Sequence, residues 1–309
     1  MTATDPNLAA ATDVQGAPIV GDTELAAGPA TARPLRVDIW RRFKRNRLAM
    51  VGLVFVVFLV LVAIFADLIA PYALDERSSD FRQAPSRDHW FGTDTIGLDV
   101  FSRVVYGSRV SLKIGVLATV IALAIGLLLG AVAGYYGGAS DTFIMRLTDV
   151  FLSIPYIVLA VTIATFFGRS ENSVILVLGL TGWLGVCRIV RASFLSLKQQ
   201  EYVEAATALG FGTRRIMFRH ILPNAMQPII VYGTIAIGSV ILAEAALSFL
   251  GVGPQYPTPA WGLMVSDGKA SLTNAPHLLF FPGAAIFLTV LAFVFIGDGL
   301  RDALDPKLK

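Results

Sequence analysis

EYVEAATALGFGTRRIMFRHILPNA, residues 201–225, is a polar interruption between two long apolar stretches. Gly210 and Gly212 split it, and Pro223 and Asn224 close it. Its flanks set the class of the protein. Six stretches approach or exceed the roughly 17–25 apolar residues that a helix needs to cross about 30 Å of hydrocarbon. They are 48–66, 112–136, 150–167, 174–190, 226–247 and 278–297. Arg188 interrupts the end of the fourth, which makes it the weakest. A charged side chain at a helix centre costs about 2.5–3.5 kcal/mol on insertion scales, so charges belong between spans or at their ends. Nearly all of them lie there. Only 15% of residues are charged, against about 25% in soluble domains, and amphipathic stripes are missing. The fold class is therefore all-α, a polytopic membrane protein with six transmembrane helices.

Lys and Arg placement orients such a chain. Arg33, Arg36, Arg41, Arg42, Lys44, Arg45 and Arg47 precede the first span. With the N-terminus inside, the inner segments hold 17 Lys and Arg and the outer segments 8. Both termini and the 201–225 stretch are thus expected to be cytoplasmic, with 71–111 outside. A net charge of +3 is too small to argue for nucleic acid. The single cysteine, Cys187, excludes an intramolecular disulfide and a Cys-based metal cluster, and His89, His220 and His277 are far apart.

The segments divide as follows. Residues 1–47 form a cytoplasmic tail, disordered over 1–32 by composition and basic near its end. Residues 48–70 hold the first span. In the external loop, Val100, Val104, Val105 and Ser108 fit one face of a helix lying on the membrane, and an ordinary folded loop fits as well. Residues 112–297 hold the other five spans. Gly126, Gly130 and Gly134 repeat at i, i+4 and i+8, a spacing suited to close helix packing. Pro155 should kink the third span or open it towards a path. Glu244, near the outer end of the fifth span, is either a functional carboxylate or a structural one. The outer loop after it, GVGPQYPTPAWG, either caps an opening or joins two helices. Residues 298–309 form a polar cytoplasmic tail.

No phosphate loop, H-E-x-x-H metal pair or G-x-S-x-G elbow occurs, so nothing marks an enzyme, a nucleotide site or a resident metal. No array of ionisable residues sits at membrane depth, as a proton-coupled carrier would need. The 201–225 stretch itself fits two short helices. The first, over 199–209, sets Tyr202, Ala206 and Leu209 on one face. Gly210 and Gly212 break the chain, and Thr213 is placed to cap the second helix. That helix sets Ile216, Met217, His220 and Ile221 on one side and ends at Pro223. The result is either a knob that docks in another protein or a loop lying on lipid headgroups.

Here the residues resemble a known family. EAATALG followed by HILPN looks like the EAA loop of permease subunits of ATP-binding-cassette importers. Glu204, Ala205, Ala206, Gly210, Leu222 and Pro223 fit that pattern, while His220 stands where it has Ile. FGTDTIGLDVFSRVVYGSRVSL, GYYGGASDTFIMRLTDVFLSIP, EAALSFLGVGPQYPTPAWG and GDGLRDALDPKLK resemble the dipeptide, oligopeptide and nickel permeases, in particular their C-type subunit. Leu98 departs from the pattern, which usually has Arg there.

The resemblance implies a type I importer permease fold in a prokaryotic cytoplasmic membrane. It implies that the knob couples to an ATPase through Glu201, Tyr202, Glu204, Ala205, Ala206, Gly210, Arg214 and Arg215. It also implies a sister (B-type) permease subunit, two ATP-binding subunits or domains carrying ATP and Mg, and an extracytoplasmic substrate-binding protein. No cofactor is expected in this chain. Peptides are the first expected cargo, with nickel, glutathione or another small solute as alternatives. A self-contained secondary carrier and a non-transporting scaffold are the competing classes.

Overall fold

The computed structural model describes residues 35–305. The expected disordered tail, 1–32, lies outside them. Among the described residues the chain is helical, and no strand forms beyond two isolated bridges. Helix α1 is Leu35–Arg45, α2 Arg47–Ile64, α3 Ala66–Ile69, α4 Val100–Tyr136, α5 Gly138–Leu152, α6 Tyr156–Phe167 and α7 Glu171–Lys198. Then follow α8 Glu201–Ala208, α9 Thr213–Arg215, a π-helical turn Ile216–Ile221, α10 Leu222–Phe249, α11 Trp261–Gly268 and α12 His277–Leu304. Five helical stretches are long and apolar enough to cross a membrane, and α5 with α6 makes a sixth span if the bent pair counts as one.

The basic segment before the first span is more ordered than a tail. Helix α1 buries Phe43, and Arg42 donates to the Asp305 carbonyl at the end of α12. Asn46 caps α2 by accepting from the Ala49 N–H at 3.1 Å. Both ends of the described chain therefore meet at one end of the bundle, called here the terminal end.

The second span differs from the expected 112–136. Helix α4 begins at Val100 and runs for 37 residues, so 100–111 is neither an interfacial helix nor a loop. Asp99 caps it by accepting from the Ser102 N–H at 2.7 Å. Arg103, buried, pairs with Asp94, which lets a cation enter the packed first turns. Leu98 is also buried, with its N–H bonded to the Asp94 carboxylate. At this position the chain uses an apolar side chain that packs within the loop. Trp261 of α11 is fully buried against α4 and donates from Nε1 to the Val104 carbonyl at 2.9 Å. The segment 251–277 is thus a packed layer containing α11. Glu244 is buried in the last turns of α10 and accepts from the Ser248 hydroxyl at 2.7 Å.

The glycine stripe does what its spacing suggests. A Cβ on Gly126 would meet Val186 at 2.5 Å, on Gly130 the Cys187 carbonyl at 2.6 Å, and on Gly134 the Arg191 carbonyl at 2.7 Å. Helices α4 and α7 therefore approach backbone to backbone.

The third span is not one kinked helix over 150–167. The chain breaks at 153–155, and α5 and α6 meet at 90°. The GGASD segment, residues 137–141, supplies the start of α5. Pro155 lacks the N–H that would continue the helix, and the Ser153 hydroxyl bonds back to the Val150 carbonyl. Two ion pairs hold α5 against α7: Arg188 to Asp149 at 2.6 Å, and Arg191 to both oxygens of Asp141. The first accounts for a charge at the end of the fourth span.

Candidate functional site

The site is built from α8, the turn after it, and the π-helical lead into α10. Helix α8 carries Glu201 and Glu204 in its first turn, where the exposed N–H groups favour negative charge. Only Val203 and Ala206 are buried in α8. Val203 packs with Phe194, Ile216, Met217 and Ile221 into an apolar cluster at the terminal end. The expected face of Tyr202, Ala206 and Leu209 is therefore only partly right. Tyr202 is 40% exposed and Leu209 74% exposed, because the buried face turns on i and i+3.

The turn ends α8 by a defined hydrogen-bond pattern. The Gly210 N–H bonds the Thr207 carbonyl at 2.9 Å, and the Phe211 N–H bonds the Ala206 carbonyl at 3.1 Å. Gly210 has φ +76, and this paired arrangement is the Schellman motif that glycine favours. Thr213 does not cap the next helix, since Gly212 holds the cap position and no side chain bonds there.

Pro223 does not end a second short helix. The chain from Thr213 to Phe249 is one long helical stretch that passes through a π turn. Pro223 lies in the first turn of α10, where a missing N–H is tolerated. Met217 and Ile221 are buried as the pattern expected, and the knob is continuous with the fifth span.

All eight predicted coupling residues lie in this knob. Glu201, Tyr202, Glu204, Ala205, Gly210, Arg214 and Arg215 are exposed, whereas Ala206 is an internal anchor. Arg215 lies over the Phe211 ring at 4.2 Å, and Phe211 stacks on His220. Asn224 donates to the His220 carbonyl at 2.8 Å and to the Tyr202 hydroxyl at 3.3 Å. Phe211 and Asn224 were missed, although the aromatic between two glycines was a usable signal. Glu204 and Thr207 line an open groove with Tyr135 and Lys198, and Lys198 bonds the Tyr135 carbonyl at 2.8 Å. That contact ties α7 to the end of α4 beside the knob.

Helix α8 is thus an exposed, polar helix seated on the bundle through Val203 and Ala206. Comparison with known proteins assigns its setting. Residues 126–309 match the family model of the binding-protein-dependent transport system inner membrane component. Residues 35–85 match the N-terminal TM domain of oligopeptide transport permease C. The chain is 45% identical over 273 residues to the dipeptide transport system permease protein DppC of Alkalihalophilus pseudofirmus, covering 88% of this chain and 90% of that one. It is 46% identical to the glutathione transport system permease protein GsiD of Escherichia coli O157:H7, at the same coverage. It is 43% identical to the oligopeptide transport system permease protein OppC of Bacillus subtilis, again over 88% and 90%. Among solved structures, an inward-facing MetNI methionine ABC transporter chain shares the fold, with TM-score 0.56 at 19% identity over 66% of this chain and 97% of that one. The chain belongs to the family of binding-protein-dependent transport system inner membrane components, the multi-pass permease subunits of ABC transporters.

Proposed function

We propose that this chain forms half of the translocation path of a peptide importer and that its knob couples the path to ATP hydrolysis in partner subunits. The observation that carries the reading is that only the four-residue turn 209–212 separates α8 from a helical stretch that runs without interruption from Thr213 to Phe249. A push on α8 reaches the membrane-spanning helix through that short turn, which the Gly210 and Phe211 N–H bonds close and the Asn224–Tyr202 contact bridges. Glu201, Glu204, Ala205 and Gly210 offer the partner an acidic, small-residue surface, while Val203 and Ala206 transmit the load to the bundle. Arg214 and Arg215 extend that surface beyond the turn.

The remaining parts of the machine are proposed on the same ground. A sister permease completes the path, two ATP-binding subunits or domains hold ATP and Mg, and an extracytoplasmic receptor delivers the solute. The terminal end faces the cytoplasm, consistent with its excess of Lys and Arg. A short peptide is the cargo best supported, because relatives named for dipeptide, oligopeptide and glutathione transport match at similar identity. Nickel remains an alternative cargo that a direct uptake assay separates.

The test is purification of the tagged chain in mild detergent, assayed for ATPase activity. Wild type should bring ATPase with it, and the double variant Glu204→Lys, Gly210→Pro should lose it while remaining helical. Elution of folded wild type without ATPase contradicts the reading.

A further inference from the structure

The break between α5 and α6 borders a half-open chamber of about 330 Å³ lined by α4, α6, α7 and α10, with Leu152 at the end of α5. This volume is in the range of small-molecule sites, roughly 300–1,000 Å³. No Asp, Glu, Lys, Arg or His lines it. Its polar atoms are the hydroxyls of Thr119, Tyr156, Thr181, Tyr232 and Ser239, drawn from all four helices.

Two of those hydroxyls are already oriented. Thr119 donates to the Gly115 carbonyl and Thr181 to the Val177 carbonyl, both at 2.7 Å, which leaves their lone pairs as acceptors. The Tyr232 hydroxyl lies over Gly185, where a Cβ would come within 2.5 Å of it. Gly185 thus makes room for that phenol at the wall. Tyr156, 37% exposed, and Ser239, also exposed, mark the open side.

A neutral amide finds both donors and acceptors here. An ionised group would lose its hydration and meet no opposite charge. We infer that the chamber holds the uncharged part of a transported peptide, an apolar or small side chain with its amide, and excludes ionised side chains. This rests on the importer reading and adds to it a site within this subunit and a selection rule.

The experiment uses the complete importer with its receptor, reconstituted in liposomes. Ser239→Cys places a thiol on the chamber wall, while the native Cys187 is buried and fully shielded. Two reagents of the same chemistry are compared, neutral methyl methanethiosulfonate and its positively charged trimethylammonium-ethyl analogue. The charged reagent should react at least about tenfold more slowly, after correction for their rates with free cysteine. Modification by the neutral reagent should abolish ATP-driven uptake of alanyl-alanine relative to the same variant before labelling. Gly182→Leu gives a second reading. Its side chain grows towards Ala122, 3.2 Å from the new Cβ, and should reduce uptake of alanyl-phenylalanine more than that of glycyl-glycine. Equal rates for the two reagents overturn charge exclusion. Unchanged uptake after labelling, or equal losses for both dipeptides in Gly182→Leu, removes the chamber from the path. Absence of ATP-driven peptide uptake in unmodified wild type is a different failure, that of the importer reading, and the inference falls with it.

Discussion

The side-chain amide of Asn224 donates to the hydroxyl of Tyr202 at 3.3 Å, so the first turn of the knob helix is latched to the first turn of the fifth span. The same amide bonds the His220 carbonyl inside the π turn. One exposed side chain thereby closes the loop between the docking element and the helix it is proposed to move. Asn224→Ala should cost about 1 kcal/mol or less, since exposed hydrogen bonds contribute little net stability. Its local effect should be larger. Hydrogen exchange of α8 amides should accelerate while those of α7 stay unchanged, and equal exchange in both proteins would remove the latch from the account.

Gly210 is needed for its backbone angle alone. Nothing lies within 4 Å of a Cβ placed there, yet φ is +76. Gly210→Ala should therefore destabilise the knob by about 1 kcal/mol through left-handed strain. Coupled ATPase activity should fall without loss of the folded bundle, as read by circular dichroism beside the ATPase assay.

The glycines of α4 and α12 should respond in opposite senses. Gly130→Ala drives a methyl into the Cys187 carbonyl at 2.6 Å, where backbone must move, and should destabilise by about 1–3 kcal/mol. Gly283→Ala meets nothing within 4 Å in a helix and should be neutral or stabilising by up to about 1 kcal/mol. Tm values of the two variants in detergent provide the comparison, and a similar fall in both would argue against close α4–α7 packing.

The pairing of α5 with α7 should be restorable. Asp141→Arg alone sets two cations together, and Arg191→Asp alone sets two carboxylates together, at the first turn of α5. Each should lower the Tm. The double swap should recover most of the loss, because the two residues are in direct contact and their effects do not add.

The Asp67–Arg109 contact should loosen in acid. A hydrogen bond from Arg109 holds the Asp67 carboxyl below its ordinary 3.8. A carboxyl with a lowered folded pKa contributes stability that is complete above its unfolded value and lost as pH falls through the folded one. The Tm of wild type should therefore drop more steeply than that of Asp67→Asn below about pH 4. Parallel curves would assign the acid sensitivity elsewhere.

Much of this architecture is legible in residue order, and the exceptions have physical causes. Length and apolarity locate the spans, and i, i+4 glycines locate the α4–α7 seam, because both are local patterns with one dominant consequence. The 201–225 stretch shows its first helix and its glycine turn for the same reason. The start of α4 was hidden because Arg103 reads as a surface residue until Asp94 is brought to it by the loop. Pro155 announces a break, but where α5 lies involves ion pairs from Asp141 and Asp149 to α7, some 40–50 residues away. Pro223 looked like a terminator because nothing local distinguishes a proline after a helix from one in the first turn of the next. The chamber joins hydroxyls from four helices, and no sequence period connects Thr119, Tyr156, Thr181 and Tyr232.

The central claim is that ATP hydrolysed by partners, acting through the knob, drives solute through this subunit. Uptake of radiolabelled alanyl-alanine into proteoliposomes holding the complete importer and its receptor tests it most directly. ATP, a non-hydrolysable ATP analogue and an imposed proton gradient are compared. The account predicts accumulation with ATP alone, lost with the analogue and lost in the Glu204→Lys, Gly210→Pro variant. Accumulation driven by the proton gradient without ATP, or full ATP-driven accumulation by the double variant, would contradict it.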